Sequence, residues 1–376
     1  MDHVHERLQR ELIAREEAQA LRRLTVSQGL VDFASNDYLG FASDAHLKKL
    51  ILAEIAEMPF FGSGGSRLLT GNNAYVELVE NEIATFHDAP AALFFNSGYE
   101  ANSGLISTIV HRHDFIFYDA FIHASLREGI RLSGAKAYSF DNNDVDSLQR
   151  LFEIHTGNIF VVTESVFSMD GDIAPLSEIL ALTEKYHAAL ILDEAHATGV
   201  IGKRGEGLAQ HLGLHSRIFA RVHTFGKAIG TNGAVVLGNS ILRNYLINYC
   251  KPFIYTTAPN YLQLAAVRMA YRYLQNNDQA LKSLHRNLAF MKSILAQSDY
   301  PQPVSTDAAI FSFIVPGNDA VKKLSSTMRA AGFDVRPILS PTVQAGLERI
   351  RLCMHSFNTE SQISGATSIL KSAMIN

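Results

Sequence analysis

The sequence contains very little cysteine, which limits the kinds of site it can build. Only Cys250 and Cys353 occur among 376 residues, and they lie far apart in the chain. A disulfide framework or a zinc site needs more cysteines at closer spacing. His111 and His113 lack an accompanying cluster of carboxylates or cysteines, which favours surface positions for both. We therefore predict two buried thiols and no metal site.

The chain also lacks a basic surplus and any apolar run long enough to span a membrane. The chain has 33 basic and 37 acidic residues, which gives a net charge of −4. This charge does not favour nucleic acid as a partner. The first 24 residues are charged, unlike the apolar core of a signal peptide. With 47% hydrophobic residues the chain can build a large core. We expect a soluble cytoplasmic protein of two or three domains.

Three common phosphate or nucleophile motifs are missing. The segment "LILDEAHATG" contains the Asp-Glu-Ala-His box of helicases, but such ATPases also need Gly-x-x-x-x-Gly-Lys-Ser/Thr. The first glycine of that loop is replaced by Ala197 before Lys203 and by Arg221 before Lys227. The sequence has neither a Gly-x-Gly-x-x-Gly nor a Gly-x-Ser-x-Gly motif. A DEAH ATPase is thus the weakest of the functions considered.

Short apolar segments alternate with helical patterns in the first two thirds of the chain. Segments such as Ala91–Phe95, Phe115–Tyr118 and Ala189–His196 read as strands buried on both faces. This alternation predicts an α/β fold with a mostly parallel sheet and helices on each side. The glycine-rich segment 61–72 is predicted to be a loop.

The pattern changes after about residue 240, where long helices are followed by a few strands. We predict a large domain over residues 43–239 and a smaller α+β domain over residues 240–376. The N-terminal helix and extended segment, residues 1–42, are expected to pack with the smaller domain. The first 25 residues read as one helix.

Polar clusters stand where the predicted strands end, which is where ligands bind in open α/β sheets. The clusters are Ser97–Tyr99, His123, Glu164–Ser168, Asp193–His196 and Thr224–Lys227.

The content of these clusters matches what pyridoxal phosphate requires of a protein. That cofactor needs a lysine for a Schiff base, an anion facing the ring nitrogen, a phosphate cradle and a flat group over the ring. Lys227, Asp193 and His123 supply the lysine, the anion and the flat group, and Ser97-Gly98-Tyr99 at a helix start supplies the cradle. Each residue alone has an ordinary alternative, such as a helix cap or a surface lysine, but the combination favours the cofactor.

The sequence resembles the α-oxoamine synthases, which are fold-type I pyridoxal-phosphate enzymes. The resemblance extends from about Ala20 to Asn358. The matching segments are "DFASNDYLGF", "GSGGSRLLTGN", "FNSGYEAN", "HASLREGIRLS", "TESVFSMDGDIAPL", "LDEAHATGVIGKRGEG", "HTFGKAIG" and "RIRLCMHSFN". It implies an aspartate aminotransferase-like fold, with a mostly parallel seven-stranded sheet and a smaller α+β domain. It also implies an acyltransferase that works as a homodimer with a shared active site.

The resemblance assigns roles to residues of this chain. Lys227 holds the cofactor and shuttles a proton, Asp193 pairs with the ring nitrogen, and His123 stacks on the ring. His196 and Ser168 reach the phenolic oxygen or the phosphate side. The phosphate is held by Ser97, Gly98, Tyr99, Thr224 and, from the partner subunit, Thr256 and Thr257. Asn36 and Arg351 hold the amino-acid carboxylate. Simpler alternatives remain for Asn36, Ser168, Thr257 and Arg351, which are turn, cap or exposed strand positions.

Within the family the motifs favour decarboxylative condensation of L-alanine with a pimeloyl thioester, carried by CoA or a carrier protein, in biotin synthesis. One departure concerns the acyl chain, because Leu339 stands where some relatives have an arginine. Arg336 or Arg23 is expected to replace it. The alternatives are a sister synthase that uses glycine or serine, or another acyl thioester, and a cofactor-free binding protein with the same fold.

Overall fold

The computed structural model describes residues 2–26 and 29–375. In chain order the α-helices are α1 (Asp2–Glu17), α2 (Ala45–Ala56), α3 (Ala74–Phe86), α4 (Gly98–Ile109), α5 (Ala124–Ser133), α6 (Val145–Ile154), α7 (Leu176–Lys185), α8 (Leu208–His211), α9 (Ser240–Tyr249), α10 (Lys251–Ile254), α11 (Tyr261–Asn276), α12 (Gln279–Leu295), α13 (Asn318–Ala330) and α14 (Glu360–Ile375). The strands are β1 (Val31–Asp32), β2 (Ala91–Phe95), β3 (Phe115–Asp119), β4 (Lys136–Phe140), β5 (Ile159–Glu164), β6 (Ala189–Asp193), β7 (Ala220–Thr224), β8 (Ala234–Gly238), β9 (Ile310–Ile314), β10 (Phe333–Asp334), β11 (Arg336–Ile338) and β12 (Arg349–Cys353).

The chain forms two compact units. The smaller unit comprises the described residues of Met1–Ser35, Met169–Gly171 and His285–Asn376, and the larger unit comprises Asn36–Ser168 and Asp172–Leu284. The boundary predicted near residue 240 thus differs from the grouping in the structure. Helix α11 packs against α2 and α3, which keeps it in the larger unit.

The larger unit is built on one seven-stranded sheet with the order β2-β8-β7-β6-β5-β3-β4. Only β8 runs antiparallel to its neighbours, and the remaining pairs are parallel. The central strands are buried on both faces because helices cover the sheet. This confirms the predicted mostly parallel seven-stranded sheet. The sequence pattern did not reveal β4, a strand at the sheet edge with three of its five residues exposed.

The glycine-rich segment 61–72 is not wholly a loop, because Arg67–Gly71 forms a π-helical turn. Arg67 lies buried there and donates to Glu80 of α3 from Nη1 at 2.7 Å. The turn is tightly packed, since a Cβ on Gly71 would lie 2.4 Å from the Cβ of Ala258. A buried ion pair therefore orders a segment that its glycines alone would leave irregular.

The smaller unit is an α+β arrangement. Strands β11, β12 and β9 form an antiparallel sheet, and β1 pairs in parallel with β10. Helix α1 ends at Glu17, earlier than predicted, and Gln19 follows with a positive φ of 53°. The described residues of α1 beyond Asp2 are exposed, whereas the segment after it makes contacts, such as Lys322 Nζ to Gln19 Oε1 at 3.0 Å.

Both cysteines are buried and neither forms a disulfide, as predicted. His111 and His113 are exposed, which confirms their interpretation as surface residues. Within the described ranges, no helix combines the length and the apolar character needed to cross a membrane.

Glu80 links the π-helical turn to the sheet, and its removal should destabilise the larger unit. Its carboxylate accepts from Arg67, from Arg243 Nη2 at 3.0 Å and from the backbone N–H of Phe94 at 2.9 Å. We expect Glu80→Ala to lower the free energy of unfolding by about 3–5 kcal/mol, because it leaves buried guanidinium charge uncompensated. Urea unfolding followed by circular dichroism measures this.

The matched control is Glu77→Ala on the same helix, because Glu77 is exposed. Its effect should stay within about 0.5 kcal/mol. Equal unfolding midpoints for the two variants would contradict a structural role for Glu80.

Candidate active site

A cavity of about 220 Å³ opens at the carboxyl ends of the parallel strands in the larger unit. Its lining includes many of the predicted strand-end residues. The lining side chains and backbone belong to Asn36, Gly98, Tyr99, Asn102, His123, Ser125, Glu164, Asp193, Ala195, His196, Thr224, Gly226, Lys227, Asn232 and Gly233. The sheet thus brings Lys227, Asp193 and His123 together, although they follow or end three different strands.

Asp193 is the last residue of β6 and is only 4% exposed. Its Oδ1 accepts from the backbone N–H of Ala195 at 2.8 Å, and its Oδ2 accepts from Asn102 Nδ2 at 2.7 Å. These donors fix the carboxylate and help to offset the cost of burying it. Asp193 is therefore a fixed anion and not a mobile surface group.

Asn102 and Ser125 connect Asp193 to His123, and the sequence analysis missed both. Asn102 Nδ2 also donates to Ser125 Oγ at 3.0 Å, and that oxygen lies 2.8 Å from His123 Nδ1. The backbone N–H of Ser125 donates to the same Nδ1 at 3.2 Å. Nδ1 is thus an acceptor, so the neutral imidazole carries its proton on Nε2. The sequence indicates these two residues only by their positions: Ser125 follows His123 by two residues, and Asn102 is the last residue of "NSGYEAN".

Close packing of α4 on α5 makes this connection possible. A Cβ on Gly129 of α5 would lie 2.9 Å from the Cβ of Ile106 and 3.1 Å from the carbonyl oxygen of Asn102. Any larger residue at position 129 would therefore push the helices apart. The glycine holds Asn102 within reach of Ser125.

Glu164 is a second buried carboxylate beside Asp193. It pairs in register with Asp193 across β5 and β6, and its Oε1 accepts from the backbone N–H of His123 at 2.5 Å. Burial first, and then the negative charge of Asp193, raise the pKa of Glu164 well above its ordinary range. The environment of Glu164 therefore favours its protonated form, and its carboxyl group supports the backbone of His123.

Lys227 lies in the connection between β7 and β8. Its Nζ is 3.5 Å from Thr224 Oγ1, and Thr224 in turn packs against the start of α4. A Cβ on Gly98 would lie 2.5 Å from Thr224 Cγ2, so only glycine allows this approach. The first turn of α4 leaves backbone N–H groups without helical partners, which favours an anion beside Thr224.

On another part of the lining, His196 is held by Tyr38, a residue that the sequence analysis did not select. The Tyr38 hydroxyl lies 2.8 Å from His196 Nδ1 and 3.3 Å from Asn36 Oδ1. Tyr38 is fully buried, and its ring meets the imidazole edge-on at 6.2 Å between centroids. This places His196 and Asn36 in one hydrogen-bonded group.

The described residues contain no group of three or more His, Cys, Asp or Glu side chains that could hold a metal ion. The cavity instead offers an amine, two carboxyl groups and two imidazoles. Together they suit chemistry in which an amine forms a covalent bond and protons move over short distances.

Comparison with known proteins agrees with this geometry. The pattern of the family described as aminotransferase class I and II matches residues 28–368. The chain belongs to this family. Within it the chain is an α-oxoamine synthase, since its relatives include 8-amino-7-oxononanoate synthases. That of Emericella nidulans is 40% identical, covering 95% of this chain and 93% of the relative. That of Lysinibacillus sphaericus is 39% identical, covering 90% and 87%.

Solved structures give the same result. The structure of 8-amino-7-oxononanoate synthase from Francisella tularensis is 31% identical with a TM-score of 0.79, covering 93% of this chain and 99% of that one. A structure of SPT with PLP internal aldimine is 26% identical with a TM-score of 0.86, covering 92% and 87%. These comparisons confirm the fold type predicted for this α-oxoamine synthase.

Other residues predicted for the site of this synthase lie outside the cavity lining. Ser97 caps α4 by accepting from the N–H of Glu100 at 3.2 Å, so its hydroxyl has a structural partner. Thr256 and Thr257 lie beside Asn96, whose Nδ2 donates to the carbonyl of Thr257 at 2.8 Å. Ser168 is half-buried after β5.

The predicted substrate arginines of the synthase belong to the smaller unit. Arg351 is half-buried on β12 and donates to the carbonyl of Ala34 at 3.5 Å. Arg336 pairs with Asp334 at 3.0 Å, and Arg23 pairs with Glu16 at 3.0 Å on the surface. Leu339 is half-buried, and its carbonyl accepts from the N–H of Thr342 at 2.8 Å.

The charges around His123 allow a test of the cavity geometry. Burial lowers the pKa of His123, the Asp193 carboxylate raises it, and the Lys227 ammonium lowers it. In the cofactor-free protein, Lys227→Met should therefore raise the pKa of His123, and Asp193→Asn should lower it further. An NMR titration of the imidazole protons measures both changes.

Lys203→Met is the matched control, because Lys203 is exposed outside the cavity and should leave the pKa of His123 unchanged. Shifts of the same sign in the Lys227 and Asp193 variants would show that these groups do not flank His123.

Proposed function

We propose that the chain is a pyridoxal 5'-phosphate-dependent acyltransferase. In the net reaction, L-alanine and a pimeloyl thioester give 8-amino-7-oxononanoate, CO2 and the free thiol, a step of biotin synthesis. The thiol is CoA or a carrier protein. The observation that carries the proposal is the gathering of Lys227, Asp193 and His123 in one cavity of a chain 40% identical to a synthase of that name.

The residues of the cavity fit this cofactor. Thr224 packs closely against Gly98 at the first turn of α4, and Lys227 Nζ lies 3.5 Å from the hydroxyl of the same threonine. The backbone N–H groups of a first helical turn favour a phosphate. Ser97, Gly98, Tyr99 and Thr224 would hold the phosphate, and Asp193 would face the ring nitrogen. When bound, the cofactor supplies an electron-withdrawing ring that stabilises negative charge on the substrate α-carbon.

Asp193 would keep the ring nitrogen protonated. Its two hydrogen bonds, from Ala195 and Asn102, hold the carboxylate in a fixed position. Burial and the charge of Asp193 raise the pKa of the neighbouring Glu164, which disfavours a second negative charge there. Asp193 would thus face the cofactor, while Glu164 accepts a hydrogen bond from the backbone N–H of His123.

Lys227 would move the protons of the reaction. Its amine takes the α-proton of alanine when it is unprotonated, and it returns a proton to the same carbon after CO2 leaves. His123 lines the same cavity and would assist this transfer. His196 and Ser168 would bind on the phenolic or phosphate side of the cofactor.

The resemblance supports Asn36 and Arg351 as ligands of the amino-acid carboxylate. We also propose that Arg336 or Arg23 takes the place of the arginine that some relatives have at the position of Leu339. A planar guanidinium binds a carboxylate through two parallel hydrogen bonds. Arg336 already pairs with Asp334, so a substrate would have to compete with that partner.

We also propose a homodimer in which Thr256 and Thr257 reach the partner's phosphate site. Large apolar side chains lie exposed on neighbouring loops of the larger unit: Phe60, Phe61, Leu69 and Tyr255 are 65%, 78%, 81% and 82% exposed. The loops are joined by hydrogen bonds from Tyr261 N to Phe61 O and from Ala258 N to Gly65 O. An exposed apolar patch of this kind is typical of an interface.

The amino-acid substrate separates the proposal from its sister activity. Purified protein loaded with the cofactor should release thiol from pimeloyl-CoA with L-alanine and much more slowly with glycine or L-serine. A serine palmitoyltransferase structure with a TM-score of 0.88 to this chain makes serine the sharpest competitor. Faster release with serine would move the chain to the sister reaction.

Loss of Lys227 should abolish proton transfer while the fold is retained. Exchange of the alanine α-proton in D2O, followed by NMR, reads this step without an acyl donor. We expect Lys227→Ala to slow exchange by at least about 10⁴-fold, since acid–base catalysis and covalent attachment are both lost. Lys203→Ala, at the other Gly-Lys pair, is the matched control. Rapid exchange in pure Lys227→Ala protein would rule out the assigned role.

A further inference from the structure

A chain of hydrogen bonds links Asp193 to the ring of His123, and its direction is fixed at both ends. It runs through the side chains of Asn102 on α4 and Ser125 on α5, within the larger unit. At the first end, a carboxylate oxygen only accepts, so the Asn102 atom that lies 2.7 Å from Asp193 Oδ2 is the Nδ2 donor. At the other end, the backbone N–H of Ser125 only donates, and it points to His123 Nδ1 at 3.2 Å.

The hydroxyl of Ser125 has one orientation that agrees with both ends. Its oxygen accepts from Asn102 Nδ2 at 3.0 Å and lies 2.8 Å from His123 Nδ1. Because a proton on Nδ1 would face the backbone N–H of Ser125, Nδ1 is the acceptor and the hydroxyl donates to it. Two donors therefore converge on Nδ1 and favour the imidazole form that carries its proton on Nε2.

The Asn102 amide keeps its orientation although one of its buried atoms is left unsatisfied. Asn102 is 2% exposed, and its Oδ1 has no hydrogen-bond partner among the described residues. Turning the amide over would place Oδ1 against Asp193 Oδ2, where two acceptors repel each other. Buried polar atoms are nearly always paired in folded proteins, so an unpaired one indicates that other contacts fix the group. Here the two hydrogen bonds of Nδ2 fix it.

The charged groups around His123 act in opposite directions, which gives the hydrogen bonds to Nδ1 a deciding part. Burial lowers the pKa of His123, the Asp193 carboxylate raises it, and the Lys227 ammonium lowers it. Glu164 accepts from the backbone N–H of His123 at 2.5 Å. Each donor to Nδ1 stabilises the neutral imidazole, and it therefore acts in the same direction as burial.

We propose that Asn102 and Ser125 are positioning residues that hold the His123 ring as its neutral Nε2–H tautomer. Ser125 donates to Nδ1, and Asn102 acts by fixing the direction of that hydroxyl. A neutral ring does not compete for the Asp193 carboxylate, which therefore stays available to the ring nitrogen of a cofactor. This consequence rests on the proposed function, whereas the tautomer is a property of the cofactor-free chain.

Nitrogen NMR of the cofactor-free protein, labelled at its histidines, tests the proposal. Long-range proton–nitrogen correlations separate the two tautomers, and the signals of His123 are identified by their loss in His123→Gln. The unaltered protein should show the Nε2–H form. Ser125→Ala should raise the pKa of His123 by about 0.5 to 1, because one hydrogen bond to the neutral ring is lost.

Ser133→Ala is the matched control on the same helix. The Ser133 hydroxyl donates to the carbonyl of Ile130 at 2.7 Å, outside the described lining of the cavity. This variant should leave the tautomer and the pKa of His123 unchanged. An Nδ1–H form in the unaltered protein, or the same pKa of His123 in the Ser125→Ala and Ser133→Ala variants, would overturn the proposal. A serine with a merely structural role would change the unfolding midpoint and not the pKa of the imidazole.

Asn102→Ala provides a second measurement, which decides if Ser125→Ala does not fold. Without Nδ2, the Ser125 hydroxyl can turn and accept from a protonated Nδ1, so the pKa of His123 should again rise. An unchanged pKa in folded Asn102→Ala protein would overturn the role of Asn102. Failure here is distinguishable from failure of the proposed function, because the NMR experiment needs neither cofactor nor substrate, whereas the exchange experiment on Lys227 needs both.

Discussion

The buried charge of Asp193 is the constraint on which the candidate active site depends. A carboxylate at the end of a buried strand is costly unless donors surround it, and here Ala195 and Asn102 supply them. Asn102 can do so only because α4 packs closely on α5, where Gly129 leaves room. The position of one anion therefore ties the sheet, two helices and the ring of His123 into a single hydrogen-bonded group.

The same group explains why two neighbouring carboxyl groups can coexist. Glu164 and Asp193 lie side by side on adjacent strands, and two charges there would repel in a low dielectric. The raised pKa of Glu164 favours its protonated form, which weakens that repulsion, and Glu164 accepts a hydrogen bond from the backbone of His123. Different environments that move the pKa values of two neighbouring carboxyl groups apart are a general feature of active sites.

Polar groups inside the larger unit are not confined to the cavity. The ring of His223, on β7, lies 3.9 Å from the ring of His87 between centroids, and the two planes are tilted by 36°. Burial lowers the pKa of both imidazoles well below its usual range. They remain neutral beside Arg221, whose Nη2 donates to the His87 carbonyl. Arg221 therefore places a buried positive charge near the start of β7, and Lys227 follows the end of the same strand. Because His87 and His223 stay neutral, they add no positive charge beside Arg221.

The sequence by itself determined the sheet class and the positions of Asp193, Thr224 and Lys227 at or near strand ends, because apolar alternation and strand ends are local patterns. Its matching segments also determined the likeness to one family. Only the tertiary structure decided which donors complete the site. Asn102, Ser125 and Tyr38 act through contacts between distant segments, and no local spacing records them. The π-helical turn at Arg67–Gly71 likewise follows from a buried partner, Glu80, and not from its glycines.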